Sequence, residues 1–167
     1  MIITDIKELK IQYDESLQLL RVEWAGGPDM RRLRPALEQL RQLASGLAIT
    51  HGLLNISSLP DISAYDQIWL GAQWLSKTSK LALKQAVIVL ASSQVYNQQA
   101  IETILTLNRV HIKFDIQFFS HATSAMHWLT TESGHLPALL AEWEAAHGPT
   151  PTPPTGVAEP RAGYQRS

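Results

Sequence analysis

Between residues 9 and 129, short runs of apolar, β-branched and aromatic residues alternate with longer stretches whose apolar positions recur every three or four residues. A chain patterned this way has few options. Strands separated by single helices run parallel, their crossovers are right-handed, and the helices then cover the sheet. The series opens with a hairpin: residues 9–13 and 17–24 alternate with period two around Asp14-Glu15-Ser16, a polar trio suited to a tight turn. Gly26-Gly27-Pro28-Asp29 breaks the second strand and supplies an N-cap, after which Leu33, Leu37, Leu40 and Ala44 recur at helical spacing as far as Gly46. Pro35 lies inside that pattern and predicts a kink.

Residues 52–56, 85–91 and 114–119 read as buried strands, the second with AVIVLA at its centre. A helix over residues 62–76 follows the first. After the second, Ser92-Ser93 introduces a helix with Tyr96, Ala100, Ile101, Ile104 and Leu105 on one face, stopping near Asn108. Ser120 caps a fourth helix with Ala122, Ala125, Trp128 and Leu129 inward, and Leu136, Leu139, Leu140 and Trp143 mark an added amphipathic helix. The order β, β, α, β, α, β, α, β, α, with one helix more, predicts one α/β domain over residues 1–147. It has about five strands, four helices and the added C-terminal helix. Residues 148–167, GPTPTPPTGVAEPRAGYQRS, lack the large apolar groups that offset ordering entropy and are expected to form a disordered tail.

Composition narrows the function classes. With 167 residues, 45% hydrophobic content and a formal net charge of -1, the chain suits one buried core and lacks the basic surplus that draws proteins to nucleic acid. The absence of cysteine removes disulfides, thiolate nucleophiles and Cys-ligated metals, and fits a reducing compartment. The start MIITDIKELK has no basic region followed by an apolar one, and no apolar run approaches the roughly 20 residues of a membrane span, so a cytoplasmic protein without membrane insertion is expected.

The helix over residues 62–76, ISAYDQIWLGAQWLS, carries large apolar side chains on two faces. Stepping 100° per residue gathers Tyr65, Ile68, Trp69, Ala72 and Leu75 on one side, assigned to the sheet, and leaves Leu70 and Trp74 on the other beside Gln67 and Ser63. Covering those two would recover roughly 2–3 kcal/mol apiece. Leu70, Trp74, Gln67 and Ser63 are therefore the candidate contact surface. The C-terminal helix could cover it through Leu136, Leu140 and Trp143, a homodimer or protein partner could, or it could stay exposed.

No assembled catalytic or metal motif is visible. His121 and His127 are six apart and point to different helix faces, while His51 and His111 flank strands. Asp14 and Glu15 are adjacent turn carboxylates with no burial to separate their pKa values. The phosphate-binding glycine motifs and the nucleophile elbow are absent. Arg31, Arg32 and Arg34 stand where the helix macrodipole disfavours cations, so they mark either an anion or acidic-partner contact or a solvated face. Neither a metal nor an organic cofactor is expected.

Over about residues 8–130 the chain resembles the SpoIIAA-like, STAS/SEC14-type bacterial domain family, through its element order, the helix RPALEQL and the pattern Ala125, Trp128, Leu129 in AMHWL. The resemblance implies the fold of anti-sigma-factor antagonists, which are non-enzymatic partners of kinase-like proteins, and a relation in shape to lipid-carrying SEC14 domains. The antagonists carry a strand near D-L-S-x-V and then D-S-S-G-L, whose first Ser is phosphorylated. Here Asn55-Ile56-Ser57-Ser58-Leu59 matches the strand end, and Ile62-Ser63-Ala64-Tyr65 falls on the second motif. Ala64 takes the modified position and cannot accept phosphate. Ser63 is read as the helix N-cap, with a shifted phosphosite as the alternative. The expected function is a non-catalytic protein-interaction or regulatory domain, acting on a protein partner or as a homodimer. The alternative is a small lipid or apolar-ligand binding module, which needs a cavity between sheet and helices. Trp69, Trp128 and Phe118 are expected to fill that space.

Overall fold

The computed structural model describes residues 1–150, and within them a six-stranded mixed sheet has its strands in sequence order. Strands β1 (Ile2–Ile3), β2 (Leu9–Asp14) and β3 (Leu19–Trp24) pair antiparallel with one another in that order. Strands β4 (His51–Asn55), β5 (Gln85–Val89) and β6 (Asp115–Phe119) continue from β3 in parallel. The connecting helices are α1 (Leu33–Ser45), a composite α2 (residues 64–78) and α3 (Val95–Leu107). Because the parallel strands are added in one direction, right-handed crossovers put all three on the same face of the sheet. Helices α4 (Ala122–Leu129) and α5 (Leu136–His147) follow β6 and pack against the opposite face. The expected tail lies, from residue 151 on, outside the described residues.

Alternation along the strands divides the core. Leu20 and Val22 of β3, Ile88 of β5 and Phe118 of β6 meet Leu37 and Leu40 of α1, Leu70 and Leu75 of α2 and Ile104 of α3. The neighbouring positions Leu19, Leu53, Val87, Val89 and Phe119 turn to the other face and meet Ala125, Met126 and Leu139. The hairpin, the alternating order and the added helix stand as expected, and β1 is additional. A two-residue strand is too short to display a period, and it is held by pairing Ile2 with Gln12 and Ile3 with Ile11.

Some local expectations change. Pro35 is the third residue of α1, in the first turn, where its missing N–H costs no intrahelical bond and requires no kink. Ser92-Ser93 and Ser120 do not cap: α3 begins after Gln94 and α4 after His121, neither with a side-chain cap. Tyr96 is largely exposed, and Asn97, only 1% exposed, takes the inward position. Its side chain accepts from Ile62 N–H at 2.9 Å and donates to the carbonyls of Leu59 and Pro60, so a buried polar group is fully employed in holding the loop before α2.

Helix α2 departs most from expectation. It is α-helical over Ala64–Trp69, π-helical over Leu70–Leu75 and α-helical again over Ser76–Thr78. Ser63 is its N-cap, accepting from Asp66 N–H at 3.1 Å, as the sequence suggests. The face assignment holds for Leu75, which is buried in the core, and for Trp69, half-buried against it, and reverses for the rest. Tyr65 is 80% and Ile68 67% exposed, and Ala72 is exposed as well, whereas Leu70 is 9% exposed and belongs to the core. Trp74 is half-buried against the same core and donates its indole N–H to Leu37 O at 2.8 Å. Their cover is therefore the chain's own α1 and sheet, not α5, which lies on the other face.

Candidate functional site

An apolar cavity of about 190 Å³ lies between the sheet and α1–α3. Its floor follows one row across the sheet. Leu20, Gly52, Ala86 and Ile116 are successive cross-strand partners on the helix-covered face, and all four line the space. Bulky residues stand at the ends of the row, and a Gly beside an Ala leaves a gap at its centre. A Cβ placed on Gly52 would meet only the Leu83 side chain at 3.7 Å, an ordinary contact. Leu54 and Ala86, in the middle of the sheet, keep partial exposure because they look into this space.

The roof includes Leu37, Leu40 and Ala44 of α1 and Leu70, Trp74 and Leu75 of α2, so three of the roof positions fall in the π-helical segment. A π turn disrupts the regular i→i−4 ladder and is common at binding sites. Here it brings Leu70, Trp74 and Leu75 together over the gap. None of Trp69, Trp128 and Phe118 fills the cavity. Trp128 packs on the opposite face, its ring 5.8 Å from that of Phe119, and Trp69 sits near Arg34, whose guanidinium carbon is 5.7 Å from its ring.

The candidate contact residues separate. Leu70 and Trp74 line the cavity from inside. Ser63 caps α2, and half-buried Gln67 donates to Ile62 O at 2.9 Å and to the Tyr96 hydroxyl at 3.3 Å. The exposed large apolar side chains on these helices are instead Tyr65 and Ile68 of α2 and Val95, Tyr96 and Leu107 of α3. Two of the three clustered arginines meet carboxylates of this chain: Arg31 grips Asp29 at 3.0 Å, and Arg34 donates to Asp66 at 2.8 Å. Arg32 is exposed.

A second, polar pocket of about 140 Å³ opens at the carboxyl end of the strands on the α4–α5 face, lined by Lys10, Glu23, Asn55, His121, Trp143 and His147 among others. Beneath Trp143, Arg21 is 1% exposed, its guanidinium 3.7 Å from the ring centroid, and its nitrogens make no hydrogen bond among the described residues. Burial lowers its pKa to about 10, with Glu23 opposing, so it stays charged at neutral pH.

Asp14, Ser16 and His135 supply the residue types of a nucleophile triad, but not its geometry. The carboxylate and the hydroxyl both meet the same ring nitrogen, Nδ1, at 3.0 and 3.3 Å, whereas a relay needs one on each nitrogen. The cluster instead fastens the start of α5 to the hairpin turn. Burial raises the Asp14 pKa, but bonds from His135, Leu17 N–H and Ser16 outweigh it and bring it down to about 2. Among the described residues no cluster of His, Asp and Glu could hold a metal ion, and no helix is long and apolar enough to cross a membrane.

No family model, curated protein or solved structure matches this chain. The small pair Gly52 and Ala86 on the cavity floor is not singled out in the sequence, although a signal exists: HGLLN and QAVIV each carry a small residue second in the strand, and parallel pairing puts the two side by side.

Proposed function

We propose that this chain is a non-catalytic, cytoplasmic binding module that takes a small apolar molecule between its sheet and α1–α3. The cavity carries this reading. At roughly 24 cal/mol per Å³, an empty space of 190 Å³ forgoes on the order of 4–5 kcal/mol of stability, a large share of what a domain of this size has. Natural interiors seldom contain voids much larger than a water molecule, and an apolar cavity of about 150 Å³ is known to stay dry and admit benzene. Occupancy offsets that cost. The SpoIIAA-like resemblance, with its relation to lipid carriers, agrees with this reading.

A ligand that binds only the folded state raises the melting temperature, by an amount equivalent to about 2.7 kcal/mol at a concentration of 100 Kd. Thermal melts in the presence of benzene and small alkanes are expected to move upward in a saturable way. Melts that do not move with any of them would contradict the reading.

A second reading rests on a separate observation. Tyr65 and Ile68, at 80% and 67% exposure, offer with exposed Val95 and with Tyr96, whose hydroxyl accepts from Gln67 of α2, an apolar patch where the chain falls on the antagonists' phosphoserine motif. This patch is the protein-contact surface in that reading, in place of Leu70 and Trp74. The double substitution Tyr65→Ser with Ile68→Ser is expected to leave the melting temperature unchanged while abolishing self-association or partner capture. Assembly that survives the substitution would remove the patch from consideration.

A further inference from the structure

We infer that the molecule taken into the cavity is an amphipathic acid, a short alkyl chain ending in a carboxylate that meets Arg41. The inference rests on the cavity reading above and adds the chemical class of the ligand. Arg41 lines the cavity wall, yet the wall's exposed surface is hydrocarbon, so the arginine contributes its methylene stem there while the guanidinium lies at the margin. Glu38 holds the Nε and Nη2 edge of that guanidinium at 3.2 and 2.5 Å, and Nη1 lies outside the pair. A guanidinium has five N–H donors, enough to serve a second carboxylate beside the first.

Most of the other charge at this margin is positive, exposed Asp115 beside Gln85 at the start of β6 being the exception. The segment leaving α2, residues 77–84, reads KTSKLALK, with Lys77, Lys80 and Lys84 exposed and no acidic residue among them. The Arg41 hydrogen bonds hold Glu38 below the usual carboxylate range, and Lys77 adds to that effect. At the entrance to β4, burial lowers the pKa of His51, and Lys84 adds to that effect. The same segment supplies Leu81 and Leu83 to the cavity wall, and both are half-exposed, as are Trp74, Gly52 and Ala86. Partial exposure of the wall and a surplus of cations therefore coincide at the amino ends of β4 and β5. A neutral ligand gains nothing from that coincidence, and an anionic head gains an ion pair.

Scaled from the benzene-sized case, the space suits a chain on the order of six to eight carbons. Isothermal titration of the full chain with heptanoate, 1-heptanol and heptylamine tests the inference. Heptanoate is expected to bind about ten-fold tighter than heptanol, with heptylamine weakest, and the advantage of the acid should shrink with added salt. In Arg41→Gln the acid and the alcohol should bind alike. Arg41→Lys should retain part of the preference, which also checks that loss in the Gln variant is not misfolding. Equal binding of acid and alcohol by the unaltered protein, or a preference that survives Arg41→Gln, would overturn the inference and leave the cavity reading in place. If none of the three binds, both fall.

Discussion

The indole N–H of Trp74 donates to the carbonyl of Leu37 at 2.8 Å, so one bond joins α2 to α1 across the roof of the cavity. Trp74→Phe removes that bond but keeps most of the ring, and is expected to cost about 1 kcal/mol in urea denaturation. Trp74→Ala should cost roughly 3–5 kcal/mol, since it also opens the wall. Neither change should alter oligomeric state by itself, because the side chain faces the chain's own core. Dissociation of an assembly with unchanged stability would restore Trp74 as a contact residue.

Gly52 and Ala86 create the gap, so enlarging them should fill it. Gly52→Ala is expected to stabilise the protein by about 0.5–1 kcal/mol, because it removes a glycine from a strand interior and the new methyl has room. Ala86→Val should give a similar gain and weaken ligand binding. Calorimetric melts of both variants measure this, and destabilisation by both would mean that the row is already tightly packed.

Asp14 gives an acid-side prediction. Its folded-state pKa of about 2 lies below the ordinary 3.8, so its contribution is present above the unfolded value and is lost as pH falls toward 2. The shift corresponds to about 2 kcal/mol. Asp14→Asn should therefore lower stability at pH 7 and remove part of its decline between pH 4 and pH 2. A variant whose pH profile parallels the parent would show that the contact with His135 contributes nothing.

Arg21 is a buried cation stacked on Trp143 without a hydrogen-bonded counter-charge among the described residues. Replacement of buried ionic groups by apolar ones of similar volume is often neutral or stabilising by about 1–4 kcal/mol. Arg21→Met should behave in this way, as chemical denaturation would register. A loss above about 2 kcal/mol would mean that the guanidinium is held by something beyond the stacking.

The order of elements along the chain, the opening hairpin and the Ser63 cap were legible because each rests on local pattern: alternation, turn residues and a capping side chain. The orientation of α2 was not, for two physical reasons. An Asp reads as solvent-facing, yet Asp66 is buried because Arg34, 32 positions away, pairs with it. A π-helical stretch over Leu70–Leu75 also breaks the 100° step on which the face assignment depended. Asn97 misleads for the same reason as Asp66, its partners being Leu59, Pro60 and Ile62 on another segment. The cavity needed register, because two small residues matter only once pairing sets Gly52 beside Ala86.

Diffraction from crystals pressurised with xenon tests the cavity most directly, because xenon enters apolar space without needing a polar contact. An anomalous peak is expected between Gly52 and Ala86 on the floor and Leu70 and Trp74 on the roof, and it should weaken in Ala86→Val. A map from well-ordered crystals with no xenon at that position, and side chains closed over the Gly52–Ala86 pair, would contradict the account.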